Sequence, residues 1–238
     1  TTDVTTVQRV RADLRGWKLG RALFVADSGM NSEENRQELA RACGHYVLAC
    51  RLNSVTEVSQ EVLGRAGRYK SVSENMRVKE VVVGEGEKRR RYIVCHNPAQ
   101  ARREANHRDE LVKELEAELA SHPDLDAQAK WAIDLRASGR FGRYLAVTHG
   151  KLRIDRAALA AAERTDGKWV LITNDDTLSP EDAAQAYKGL LVIERCFRSL
   201  KTTQIKLRPM YHWLPRRIEA HIKVCVLALL IQRVAERA

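Results

Sequence analysis

An apolar run that ends in an aspartate lies near the start of the chain, at residues 21–27, and a second apolar run follows at residues 45–50. Short apolar runs bounded by turn residues are typical of buried strands. Between them, Asn31 and Glu34 have the spacing of a capping box, which predicts the start of a helix. A strand, a helix and a strand in this order form a βαβ unit, so the sequence predicts a parallel sheet. Asp27 would then lie at the carboxyl end of its strand, where open α/β sheets bind their ligands.

The middle of the chain combines short strands with charged helices. Apolar runs at 76–83 and 91–95 flank a charged, glycine-containing segment, which predicts a β-hairpin. Residues 99–121 carry Leu111, Leu115 and Leu119 along a narrow apolar stripe, which predicts a helix with a solvated charged face. The other predicted elements are helices at 5–16, 126–136 and 156–164 and strands at 141–147, 151–155 and 168–173.

Two more helices are predicted towards the carboxyl end. Ser179 is a favourable N-cap, Pro180 suits the first helical position and Glu181 places an acid in the first turn. This helix is predicted to run to about Lys201. After two prolines, a last helix with a broad apolar face covers residues 216–236.

Tyr187, Glu194 and Lys201 lie seven residues apart, twice in succession, within the helix that starts at Ser179. Seven residues are almost two α-helical turns, so the three side chains share one stripe that drifts by only about 20° per heptad. A carboxylate there can hold a metal ion, and the phenol and the amine can donate to a phosphate backbone. The stripe therefore favours nucleic-acid chemistry, although charged residues at this spacing are more often an ordinary solvated helix face.

The positive charge of the chain is concentrated near its carboxyl end. The 238 residues carry a net charge of +10, and the segment from Lys188 onwards holds 11 Lys and Arg against 3 Asp and Glu. A localised basic surface attracts phosphates and binds them in a salt-dependent way. Because this surface surrounds the candidate carboxylate, it strengthens the case for a nucleic-acid site.

Composition excludes several other classes of protein. The longest apolar run near the end, residues 224–231, has eight residues and is too short to span a bilayer, and no signal-peptide pattern opens the chain. The five cysteines are scattered and form no CxxC pair, which argues for a reducing compartment and against a zinc module or a disulfide framework. Cys43, His45 and Cys50 are close in sequence, but the strand predicted at 45–50 makes core positions the favoured interpretation.

The spacing of Tyr187, Glu194 and Lys201 resembles the Tyr–Arg–Glu–Lys signature of the insertion-sequence DDE transposases. Similar segments of that family match this chain in order, at residues 25–35, 166–174, 193–201, 208–212 and 217–221. The resemblance implies an α/β fold, with a ribonuclease H-like mixed sheet flanked by helices and a β-containing insertion. Residues 1–52 would form part of the core, 53–140 would be the insertion with its hairpin and charged helices, and 141–238 would contain the rest of the insertion, the glutamate helix and the last helix of the core.

The resemblance also implies roles for individual residues. Asp27 and Glu194 would be catalytic ligands of Mg²⁺ or Mn²⁺, while Tyr187 and Lys201 would contact the DNA backbone near the cleaved phosphate. Arg198, four residues after Glu194 on the same face, would partly replace an arginine of the signature. The implied partners are double-stranded DNA, at the transposon ends and the target, and a second copy of the chain in a homodimer, with no membrane. The implied location is the bacterial cytoplasm, in association with the nucleoid.

Two positions of this chain depart from the pattern of the family. The arginine that follows the tyrosine of the signature by three residues is Leu190 here, so one phosphate contact is missing. Ser28 stands where many relatives carry an arginine after the aspartate, which is a milder change.

The first catalytic aspartate of the family has no clear counterpart. It lies on an earlier strand in relatives, whereas only 26 residues precede Asp27 here, and Asp3 and Asp13 are poor candidates. The sequence therefore predicts a fragment whose first core strands are missing. Asp175 and Asp176 are rival carboxylates, although a turn before Ser179 is the favoured explanation of both.

The sequence is compatible with three functions. The leading hypothesis is a DNA transposase that cleaves and joins DNA with divalent metal ions. The alternatives are a catalytically inactive DNA-binding or dimerisation remnant of such an enzyme and a ribonuclease H-like nuclease that cuts without joining. The absent first aspartate and Leu190 motivate the inactive remnant.

Overall fold

The strand, helix and strand predicted near the start of the chain form a parallel βαβ unit in the computed structural model, which describes residues 22–236 except 43, 53–56, 123–125, 127–128, 204 and 206. Strand β1 (Ala22–Ala26) pairs in parallel with β2 (Gly44–Cys50), and helix α1 (Glu33–Ala42) connects them. The register places Ala26 opposite Leu48. The helix predicted at 5–16, together with Asp3 and Asp13, lies outside the described residues.

The cap of α1 differs from the predicted capping box. The Ser32 hydroxyl, not the Asn31 side chain, accepts the bond from the first turn, at 3.1 Å from the Asn35 backbone nitrogen. The Asn31 amide nitrogen instead donates to the Ala49 carbonyl at 2.7 Å, so it ties the β1–α1 loop to the end of β2. The prediction was wrong because this long-range bond has no local signal in the sequence.

The predicted hairpin and the short elements after it are present with small shifts. The remaining strands are β3 (Lys70–Ser73), β4 (Met76–Val83), β5 (Arg90–His96), β6 (Leu145–Thr148), β7 (Lys151–Ile154) and β8 (Lys168–Thr173). The helices between them are α2 (Pro98–Ala120), α3 (Lys130–Ala137) and α4 (Arg156–Glu163), with π-helical turns at Glu57–Val62 and 3-10 turns at Ser28–Met30, Gly86–Lys88 and Gly142–Tyr144.

Six of these strands form one mixed sheet in the order β1-β2-β8-β5-β4-β3. Only β1 and β2 are parallel to each other, and every other pair in this sheet is antiparallel. On one face, alternate side chains such as Leu48, Val94 and Ile172 form a buried core with Val58 and Val62 of the π-helical turn. A mixed α/β fold is thereby confirmed, and its ribonuclease H-like topology stays a prediction.

A second, smaller core lies beside helix α2. Leu111 and Leu115 are buried against Tyr144, and Leu119 packs at the edge of this cluster, as the apolar stripe predicts. Arg108 of α2 makes two bonds of 2.6 Å to the Asp166 carboxylate, just before β8. The charged helix is therefore packed along one stripe and tied to the turn that leads into β8.

The chain divides into two compact units, Thr1–Ala184 and Gln185–Ala238. The boundary falls within helix α5 (Pro180–Lys188), which Ser179 caps as predicted, since its hydroxyl accepts from the Asp182 nitrogen at 3.0 Å. In the second unit, α6 (Leu190–Arg198), a π-helical turn (Ser199–Thr203) and α7 (Pro215–Ala235) follow.

The second unit has a small core of its own. Leu200 of the π-helical turn packs with Cys225 and Leu229 of α7. Most other apolar side chains of α6 and α7 are exposed. Among the residues that the structure describes, none of the helices has the length and apolar character needed to cross a membrane.

Candidate catalytic and nucleic-acid-binding residues

Asp27 lies directly after β1, at the edge of the sheet where the parallel strands β1 and β2 both end. Its carboxylate is exposed and caps the short turn that follows, because Oδ1 accepts from the Gly29 nitrogen at 2.9 Å. No other described residue is bonded to it. An ionised carboxylate has about four acceptor positions, so the side chain can hold this turn and still bind a cation.

The rival carboxylates Asp175 and Asp176 are held within the protein. The Asp175 carboxylate accepts from the Thr177 hydroxyl at 2.7 Å, the Thr177 nitrogen at 2.8 Å and the Leu178 nitrogen at 3.2 Å. The Thr177 hydroxyl is the main cause that lowers the pKa of Asp175. Asp176 pairs with Arg89 at 2.9 Å. Asp175 thus has the turn-forming role that the sequence favoured, whereas Asp176 is held by an ion pair that the sequence did not predict.

The strand register places Asp175 at the opposite edge of the sheet from Asp27. The Asp175 carboxylate lies 3.5 Å from the ring of His45, and His45 pairs with Leu23, four residues before Asp27. At about 3.3 Å per residue, the two aspartates are about 13 Å apart along the strand direction alone. Ligands of a metal pair whose ions are about 4 Å apart cannot be separated in this way. Asp175 and Asp27 therefore do not share a metal site.

A cavity of about 320 Å³ lies beside Asp27, and three arginines from different segments line it. Arg36 comes from α1, Arg51 follows β2 and Arg90 begins β5. Ser28 and Gly29, the residues after Asp27, form another part of its wall. The sequence does not reveal this group, because residues 36, 51 and 90 share no helical or strand spacing and only the order of the strands brings them together.

Two carboxylates hold Arg36 and Arg90 in place. Glu33 pairs with Arg36 and also accepts from Arg90 at 3.1 Å, and the hydrogen bond from Arg36 lowers the pKa of Glu33. Glu57 accepts from Arg90 at 2.9 Å and from the Tyr92 hydroxyl at 3.0 Å. Burial, followed by the Glu57 charge, raises the pKa of Tyr92. The phenol is therefore neutral near pH 7 and donates its proton to Glu57.

Cys50 lines the same cavity as a neutral thiol. Burial raises its pKa to about 12, and the Asn31 amide donates to its sulfur at 3.4 Å. Only a thiolate is a good metal ligand or nucleophile, so Cys50 supplies neither function at neutral pH. Cys43 lies outside the described residues.

The signature residues of the second unit lie on three consecutive helical segments. Tyr187 is half-buried in the last turn of α5, Glu194 is exposed in the middle of α6, and Lys201 is exposed in the π-helical turn. Arg198 ends α6 and lies four residues after Glu194, so the two share a helix face. Neither Glu194 nor Lys201 has a hydrogen bond or ion pair with another described residue.

The single continuous helix predicted up to Lys201 is wrong in two places. Gly189 separates α5 from α6, and the Val192 nitrogen donates to the Gly189 carbonyl at 3.1 Å, a tighter turn than an α-helix has. Glycine is a poor helix former, which explains the position of the break. At Ser199 the helix widens into the π-helical turn that carries Lys201. The stripe through Tyr187, Glu194 and Lys201 therefore departs from ideal α-helical geometry.

Glu194 lies in an exposed apolar surface. Leu191, Val192, Ile193 and Phe197 are each 50–57% exposed. Exposed apolar side chains that lie together are typical of surfaces that bind another molecule.

The described residues contain no group of three His, Cys, Asp or Glu side chains that is placed to hold a metal ion. Asp27 provides an oxygen ligand of the type that Mg²⁺ prefers, at the edge of the sheet expected for a ligand. Glu194 belongs to the other unit. The donor chemistry of the two carboxylates fits a hard divalent cation.

Comparison with curated proteins and with solved structures finds no match to this chain. A family model does match: it is described as a transposase DDE domain and covers residues 1–231 of the 238. This span includes Asp27, the arginine-lined cavity and the segment with Glu194. The chain therefore belongs to the family of proteins with a transposase DDE domain.

Proposed function

We propose that this chain is the DNA transposase of an insertion sequence of the Tyr–Arg–Glu–Lys group. It would cleave DNA and transfer the resulting strand with the help of divalent metal ions. The observation that carries the proposal is the family match over residues 1–231, combined with an exposed aspartate at the carboxyl edge of a parallel strand pair. The family supports transposase chemistry and DNA binding.

Asp27 and Glu194 are the proposed ligands of Mg²⁺ or Mn²⁺. When bound, the metal ions would activate the attacking hydroxyl and stabilise the leaving oxygen of a phosphodiester. The two carboxylates would hold the cations, since oxygen ligands with negative charge bind hard cations well. The exposure of both side chains supports this role, because the phosphodiester has to reach them.

Tyr187, Arg198 and Lys201 are proposed to bind the DNA backbone around the cleaved phosphate. Leu190 cannot donate to a phosphate, but Arg198 shares a helix face with Glu194 and presents a guanidinium there. The 11 Lys and Arg against 3 Asp and Glu from Lys188 onwards would extend this contact along the duplex. The proposed complex is a homodimer on paired DNA ends in the bacterial cytoplasm, at the nucleoid.

Metal-dependent nicking is the direct test of this proposal. The substrate is a supercoiled plasmid that carries the DNA flanking the reading frame of this protein. We expect nicked or linear plasmid in the presence of Mg²⁺ or Mn²⁺, and none after the metal is removed with EDTA. Gel electrophoresis measures the products.

The products also distinguish the three candidate functions. Joined donor–target molecules support a transposase, and cleavage without joining supports a nuclease. Salt-dependent binding of duplex DNA without any nicking would contradict the proposal and support the inactive remnant, which the replacement of the signature arginine by Leu190 favours.

A further inference from the structure

We propose that the arginine-lined cavity beside Asp27 binds a backbone phosphate of DNA close to the phosphodiester that is cut. The inference rests on the proposed function, since it assigns a second contact with the same substrate. It adds a site in the first unit, whereas the signature residues Tyr187, Arg198 and Lys201 all belong to the second.

The guanidinium groups of Arg36 and Arg90 are held in position for an anion. Glu33 and Glu57 bond to them, while neither carboxylate lines the cavity. A guanidinium has five N–H donors. Each of these two arginines donates one bond from each of its two terminal nitrogens, so further N–H donors remain for a ligand. Arginines that are already oriented lose little freedom when they bind a phosphate.

The charge of the cavity favours an anion and disfavours a cation. Arg36, Arg51 and Arg90 contribute three positive charges, against the two negative charges of Glu33 and Glu57. Cys50 and Tyr92 are neutral near pH 7 because burial raises the pKa of each. The nearby Asp27 would thus bind the metal, while the cavity would bind phosphate.

The size and position of the cavity suit one nucleotide of a bound strand. Its volume of about 320 Å³ corresponds to about ten water molecules, which is room for a phosphate and part of its sugar. Ser28 and Gly29 line it, and Gly29 donates to the Asp27 carboxylate at 2.9 Å. A strand whose scissile phosphate lies at Asp27 would therefore pass this cavity within a nucleotide or two.

Arg51 offers the cleanest test, because it is exposed and no described residue pairs with it. Arg51→Gln removes one charge from the cavity and leaves the Glu33–Arg36 and Glu57–Arg90 pairs intact. The probe is a fluorescently labelled DNA duplex, titrated with the 238-residue chain over a range of salt concentrations by fluorescence anisotropy.

We expect the slope of log K against log salt to become shallower by about 0.9, the value for one lost phosphate contact on duplex DNA. The same relation predicts that Arg51→Gln binds the duplex about eightfold more weakly than the wild-type chain at 0.1 M salt. This difference in affinity should vanish towards 1 M salt. Arg51→Lys keeps the charge and is expected to retain most of the slope.

Arg41→Gln is the matched control. Arg41 lies on α1, its side chain is 71% exposed, and it does not line the cavity. An equal loss of slope in both glutamine variants would overturn the proposal, because it would indicate only a diffuse basic surface. An unchanged slope for Arg51→Gln, with wild-type binding that is salt-dependent, would also overturn it and leave the proposed function standing. Failure of the wild-type chain to bind duplex DNA would contradict both.

Discussion

Replacing Glu194 with glutamine is expected to reduce metal-dependent DNA cleavage by about a thousandfold or more, while duplex binding is retained. Glutamine has the shape of glutamate without its negative charge, so it cannot hold a divalent cation with comparable strength. The loss corresponds to about 4 kcal/mol of transition-state stabilisation. Because Glu194 is exposed and has no bond to another described residue, the substitution should leave the fold unchanged.

The control for this substitution lies in the same unit. Glu219 of α7 is exposed and pairs with Lys223 at 3.8 Å, so Glu219→Gln removes a comparable negative charge elsewhere. The Glu219→Gln variant should cleave DNA at close to the wild-type rate. Undiminished cleavage by Glu194→Gln would show that α6 carries an ordinary solvated surface, and the assignment of Glu194 as a metal ligand would be abandoned.

The same loss of cleavage is expected for Asp27→Asn. Asparagine caps a helical turn about as well as aspartate does, so the bond from the Gly29 nitrogen should persist and stability should change little. Asp176→Asn is the matched control, because it removes an exposed carboxylate at the opposite edge of the sheet. Cleavage that falls equally in both variants would point to a general charge effect in place of a metal site.

The sequence predicted those elements whose signals are local. The apolar run before Asp27 and the charged segment between the hairpin strands identify β1, β4 and β5 to within a few residues. Each of these patterns depends on burial of alternate or consecutive apolar side chains and on turn residues next to them.

Features that depend on distant contacts were not predictable in this way. The sequence of the π-helical turn Glu57–Val62 has no distinct hydrophobic periodicity. The turn is stabilised because Val58 and Val62 pack against the sheet. The separation of Asp27 from Asp175 follows only from the antiparallel register of β2 and β8. The candidate site shows the same division, because the position of Asp27 after a strand was visible in the sequence, whereas its arginine neighbours were not.

Gly167→Ala is expected to have the largest effect on stability. Gly167 has φ +61°, a left-handed conformation that costs alanine about 1 kcal/mol. Its nitrogen donates to Glu104 at 2.7 Å, and its carbonyl accepts from the Asn97 nitrogen at 2.8 Å. The residue is thereby held against the first turn of α2, where there is no room for a side chain.

An added methyl group at Gly167 would lie 2.7 Å from the Ala101 nitrogen and 2.8 Å from the Ala101 methyl, and it would also meet the Asn97 carbonyl. The Ala101 nitrogen donates to the Asn97 carbonyl in the first backbone hydrogen bond of α2, so neither of these two atoms can move away without loss of that bond. The clash adds about 2 kcal/mol or more to the conformational cost. We therefore expect the free energy of unfolding to fall by about 3 kcal/mol, which lowers the Tm by about 10 °C.

Gly150→Ala separates the two causes of this destabilisation. Gly150 has φ +75° in the β6–β7 turn, but a methyl group there would have no atom within 4 Å. It should therefore lose only the conformational cost of about 1 kcal/mol. Urea denaturation followed by circular dichroism measures both variants. If Gly167→Ala is no less stable than Gly150→Ala, the close approach of the β8 turn to α2 is not present in the folded protein. A larger loss for Gly167→Ala would support the position of β8, the strand that leads towards the helix of Glu194.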